Sequence, residues 1–164
     1  MKWVTHQAGA LAAALTLKAD PTLSAGLVFG AVLPDLAEHL LSRGDKSLFL
    51  RIHRGFLHWF GLYLALLVLV QGLSLPPTTL LALDGLLLGA CSHLLLDALN
   101  PSGIPLFPFS RNPRLRLPLV STGSLGEWCF LAGLLLLISL GGYRLDPSWL
   151  RRLENMLWSV LSLG

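Results

Sequence analysis

Eight residues of this chain carry groups that ligate divalent metals and stand close to the ends of apolar segments: His6, Asp35, His39, His53, His58, His93, Asp97 and Glu127. Imidazole nitrogen with carboxylate oxygen is a donor mixture that suits zinc. His93 and Asp97 are four residues apart, which on a helix stacks them about 6 Å apart along one face, where both can ligate one cation or two adjacent ones. Asp97 also nears the end of its segment, where the helix dipole disfavours an anion and calls for a cationic partner. In His53-Arg54-Gly55-Phe56-Leu57-His58 two imidazoles bracket a guanidinium that forks onto phosphate and a glycine that lets a backbone come close. Asp35 follows Pro34 inside an apolar run, and an ionisable group at membrane depth points to function. Each feature alone has a plainer reading. His93-Asp97 also serves as a hydrogen-bonded pair locking a bundle, and Glu38 as a solvated charge at a helix end. Glu127 fits the capping box of Ser124-Leu125-Gly126-Glu127. The gathering of all five histidines at one level favours a metal site.

That gathering depends on the elements. With 164 residues, 54% hydrophobic and 13% charged, the chain is far more apolar than an average soluble domain. It reads as one domain, 1–164, all-α, a polytopic integral membrane bundle of five or six helices. Gly55 to Leu75 is the clearest crossing of about 30 Å of hydrocarbon. Thr78 to Leu99 and Leu125 to Tyr143 follow, and Thr22 to Leu41 is a fourth, interrupted at Pro34-Asp35, where proline bends a helix. Thr5 to Leu17 is shorter, a half-span or a packed helix. Residues 147–164 have the apolar spacing of an amphipathic C-terminal helix. Cys91 and Cys129 lie inside apolar segments and read as buried structural thiols. The net charge of +3 sits mostly in loops and expresses topology, with no nucleic-acid partner expected. The positive-inside rule places Lys2 and the loops 43–54 and 100–123 in the cytoplasm, with the Pro76-Pro77 turn outside. Alternating segments then carry all eight candidate ligands to the cytoplasmic boundary.

His6, Gly30-Ala31-Val32-Leu33-Pro34-Asp35, His53-Arg54-Gly55-Phe56-Leu57-His58, Gly89-Ala90-Cys91-Ser92-His93-Leu94-Leu95-Leu96-Asp97 and Asn100-Pro101-Ser102-Gly103, in that order, resemble the YdjM family. Pro105 to Pro108, Arg114-Leu115-Arg116-Leu117-Pro118 and Thr122-Gly123-Ser124 to Glu127 extend the resemblance, which covers His6 to Glu127. It implies an inner-membrane metal-dependent hydrolase of a bacterium or archaeon. The chain departs from the family pattern at Ala37, where a second aspartate is usual, and at Leu57, where a threonine is usual. The family in turn resembles zinc-dependent phospholipase C, an all-helical enzyme with a His-x-x-x-Asp helix, which implies phosphoester hydrolysis.

The resulting expectation is a membrane-bound hydrolase using zinc or another divalent metal, one or more ions, on a phosphoester in a lipid or other amphiphile. His6, Asp35, His53, His58, His93, Asp97 and Glu127 form the ligand pool, with His39 outlying. Asp35 is the alternative general base, and Arg54, with Arg114 or Arg116, holds the phosphate. The rival from another class is a non-enzymatic membrane scaffold or interaction protein whose closed metal site staples helices. A transporter is a third reading, weakened because only Asp84 lies deeper than the ligand level.

Overall fold

The computed structural model describes residues 1–109, 112–142 and 155. Seven helices are described: α1 (Trp3–Thr16), α2 (Pro21–Gly30), α3 (Leu33–Ser42), α4 (Lys46–Ile52), α5 (Phe60–Gln71), α6 (Pro77–Ala98) and α7 (Leu125–Gly142). A 3₁₀ turn, Phe56–His58, precedes α5. Two antiparallel two-residue strands, β1 (Ile104–Pro105) and β2 (Arg114–Leu115), pair Ile104 with Leu115 inside what the sequence presents as a plain loop.

The centre of the bundle is the α2–α6 pair, and glycine decides how closely it packs. Gly26 and Gly30 on α2 face Gly85 and Gly89 on α6; a Cβ built at Gly30 collides with the Leu86 carbonyl, and one at Gly89 with the Leu27 carbonyl. Small residues four apart on both helices let the backbones touch, a common solution where no hydrophobic force drives helices together. The contacts advance in the same direction along both helices, so α2 and α6 run parallel. α1 packs on α2 and α7, and α5 on α6. Tyr63, Leu87, Ala90, Leu94 and Ile104 form one apolar cluster, and Ala10, Ala14, Leu27 and Ala31 a second.

Several expected boundaries shift. The 55–75 stretch is not one helix: Gly55 donates to the Ile52 carbonyl, His58 turns inward, and extended Trp59, its Nε1 bonded to the Leu106 carbonyl at 3.1 Å, breaks the run before α5. The 22–41 stretch divides into α2 and α3, bent by 45°. Pro34 lies in the first turn of α3, where its missing N–H is tolerated, so the break falls just before it. Within the basic 43–54 loop, Arg43 adopts a left-handed conformation (φ 48°) and Asp45 caps α4. The Leu48 backbone N–H, helped by Ser47, holds the Asp45 carboxyl below the usual aspartate range. Asp20 caps α2 by accepting the Thr22 N–H at 2.8 Å. The 147–164 segment, expected as an amphipathic helix, lies outside the described residues apart from Asn155.

Among the described residues, α6 is long and apolar enough to cross a membrane, and the bent α2–α3 pair makes a second candidate; α5 and the apolar stretch of α7 are shorter. Phe29, Val68, Leu119, Leu125 and Leu136 stand exposed, the kind of apolar surface that marks a membrane or protein contact. Cys91 is buried, but Cys129 lies exposed on α7 rather than inside the bundle.

Candidate metal centre

The α2–α6 contact sets the first ligand. Because the backbones meet, the His93 ring reaches back to the Ala31 carbonyl, with Nδ1 2.7 Å from that oxygen. An Nδ1–H donated there leaves Nε2 as a free lone pair. His58 is oriented in the same manner by a carboxylate, its Nδ1 lying 2.9 Å from Glu38 Oε1. The two Nε2 atoms then face Asp35 Oδ1 at 3.3 Å (His58) and 3.8 Å (His93), and Asp97 Oδ2 at 3.7 and 3.8 Å.

Four donors held tetrahedrally about 2.0–2.2 Å from one zinc ion lie about 3.3–3.6 Å from one another. The observed separations run from the short end of that edge length to slightly beyond it, and neither Nε2 makes a hydrogen bond. His6 adds a second lobe. Its ring stacks on His93 with centroids 3.8 Å apart, and its Nε2 is 3.5 Å from Asp97 Oδ1. Three overlapping donor groups result: His6, His93 and Asp97; Asp35, His58 and His93; and Asp35, Glu38 and His53.

Both aspartates are braced from behind. Trp3 Nε1 donates to Asp35 Oδ2 at 3.0 Å, turning Oδ1 inward. Asp97, at the C-terminal end of α6, has the cationic partners its position calls for: Arg54 Nη2 at 3.1 Å and the Met1 amino group at 2.9 Å. Arg54 is buried with φ 55°, a strained conformation that aims its guanidinium into the cluster. Among the described residues, six buried side-chain atoms have no hydrogen-bond partner: His6 Nδ1 and Nε2, Asp35 Oδ1, Arg54 Nη1, His58 Nε2 and His93 Nε2. All belong to this one cluster.

His6, Asp35, His58, His93, Asp97 and Arg54 are thus brought together, and His53 borders them through Glu38, with Nδ1 2.8 Å from Oε2. Four other candidates sit elsewhere. Glu127 accepts from the Lys2 backbone at 2.5 Å and the Thr5 hydroxyl at 3.1 Å through Oε1, and from the Gly123 N–H at 2.6 Å through Oε2. Its oxygens are committed to joining α1 to the start of α7, a cap rather than a ligand. His39 is exposed beside Phe49, outside the cluster, although its four-residue step from Asp35 keeps both on one side of α3. Arg116 is exposed, while Arg114 donates to the Ser102 carbonyl at 2.7 Å and the Arg54 carbonyl at 3.4 Å, supporting the arginine instead of the cluster. Glu38 is the reverse case. Read as solvated, it is fully buried and holds both His53 and His58. Its sequence signal is the three-residue step from Asp35, which puts both carboxylates on one helical face.

A family model described as "YdjM inner membrane protein" matches residues 1–164. The chain is 36% identical over 147 residues, 80% of its length and 88% of the other's, to a Bacillus subtilis (strain 168) protein named "Uncharacterized protein YvsG". No solved structure matches it. A family match over the full length places this chain in the YdjM family of inner membrane proteins.

Proposed function

We propose that the chain is a polytopic membrane hydrolase whose divalent metal, zinc by its donor set, acts on a phosphoester at the cytoplasmic boundary of the bundle. The observation that carries this reading is the convergence of unpartnered buried atoms at ligand-cage spacing. Each such group left unsatisfied costs about 1–3 kcal/mol, and one ion satisfies His58 Nε2, His93 Nε2 and Asp35 Oδ1 together. His58 and His93 through Nε2, Asp35 through Oδ1 and Asp97 through Oδ2 are the primary ligands, with His6 adjacent. A divalent ion there supplies a Lewis acid that acidifies water and polarises a phosphoryl oxygen. Arg54 Nη1 remains available to a phosphate oxygen while Nη2 stays on Asp97. In the alternative to its ligand role, Asp35, partly exposed and tethered by Trp3, takes a proton from water as general base.

A second reading has its own support: His58, His93, Asp35 and Asp97 alone supply four donors, enough to close a structural site that staples a scaffold. One experiment separates the two. Protein purified in detergent is analysed for metal and assayed on a phosphomonoester and a phosphodiester, with and without chelator. The hydrolase reading expects zinc and chelator-sensitive turnover that Arg54→Lys reduces about 10²-fold or more, as for a lost transition-state donor. Zinc with no turnover on any phosphoester leaves the staple, and metal-free protein removes both.

A further inference from the structure

Beside the cluster lies a cleft of about 680 Å³, within the roughly 300–1,000 Å³ typical of small-molecule sites. Leu41, Leu48, Ile52, Phe56, Leu57 and Phe109 give it an almost wholly apolar wall. Phe56 and Phe109 stack across it with centroids 5.5 Å apart and planes within 5°. Among the described residues, its charged lining consists of Glu38 and Arg51. Glu38 turns its oxygens inward to His53 and His58, and Arg51 places a guanidinium in the same wall. The cleft and the metal cluster share a wall, since residues 52, 55 and 57 line one while His53, Arg54 and His58 face the other.

We infer that this cleft binds the aliphatic chain of a single-chain phosphorylated amphiphile, with Arg51 and the 52–58 turn directing its phosphate toward the cluster. The inference rests on the hydrolase reading and names its substrate class. A metal centre acting on small water-soluble phosphoesters needs no apolar chamber beside it. A passive lipid-facing surface, in turn, needs neither a chamber wall shared with the ligands nor a cation in that wall.

The test uses full-length protein in phosphatidylcholine nanodiscs and dodecyl phosphate bearing a diazirine at its chain end, with adducts mapped by mass spectrometry and zinc measured on the same samples. Adducts are expected on Leu41, Leu48, Ile52 and Leu57. Unlabelled dodecyl phosphate at roughly ten times its dissociation constant is expected to cut them about tenfold by competition for one site, whereas dodecanol, which lacks the phosphate, displaces them much less. Ile52→Trp, which fills the cleft, is expected to give the same loss with zinc unchanged; if that variant fails to fold, competition in the wild type decides. Adducts spread evenly over exposed residues such as Val68 and Leu136, or displaced equally well by dodecanol, overturn the inference. A zinc-free protein that still labels the cleft keeps the lipid site and removes the hydrolase reading. A zinc-bearing protein with scattered adducts does the opposite.

Discussion

Glu38 fixes two imidazoles with one carboxylate, and that double duty makes it sensitive to a single-atom change. A glutamine there accepts from one histidine but presents N–H₂ to the other, forcing that ring to turn its lone pair away from the cluster. Glu38→Gln is therefore expected to lower zinc affinity about 10–100-fold, measured by competition with a chromophoric chelator, and unchanged affinity removes its orienting role. His93→Ala and Asp97→Ala are expected to lose most bound metal, checked by metal analysis of purified protein. The His93-Asp97 pair was legible because four-residue spacing needs only a helix to become a pair of neighbours. Glu38 was not legible: a carboxylate near a helix end is ordinarily solvated, and only the return of α4 and the 52–58 turn covers it. Glu127 misled for the converse reason. Its partners Lys2 and Thr5 lie more than a hundred residues away, and no local pattern announces them.

The element that governs the site is the α2–α6 contact. Gly89→Val inserts a branched side chain where the Leu27 carbonyl already sits, so α6 must move off α2 and the His93–Ala31 hydrogen bond must lengthen or break. The expected result is a stability loss of about 1–3 kcal/mol, typical of an overpacked contact, with reduced metal content. Gly133→Val is the control, since its Cβ meets nothing within 4 Å. Equal behaviour of the two variants in a melting curve and metal assay defeats this account. The four-residue register of Gly85 and Gly89 with His93 and Asp97 is a property of α6 alone. That Gly26 and Gly30 are their partners is not legible, because nothing in one chain states which helix faces which. The shortened α5 was hidden too. Apolar composition measures affinity for lipid, whereas the break at Trp59 comes from drawing His58 into the cluster.

Across the whole molecule, the loop charges expect residues near Lys46 and Arg114 to face the cytoplasm and Pro76 the other side. In a Cys129→Ser background, which removes the exposed thiol, Lys46→Cys and Pro76→Cys are expected to react with a membrane-impermeant maleimide from opposite sides. Labelling of both from one side refutes the alternation of segments. The donors of the centre come from α1, α3, the 3₁₀ turn and α6, stretches separated by up to 91 residues between His6 and Asp97. An ion held among them binds only where all four stretches are assembled, so the bundle's melting is thermodynamically linked to free metal concentration. At free zinc about a thousandfold above its dissociation constant, linkage adds about 4 kcal/mol to the folded state. Chelation is therefore expected to lower the melting temperature of the whole bundle, and titrating zinc back to raise it logarithmically, turning a thermal shift curve into a meter for the occupancy of a site buried inside it.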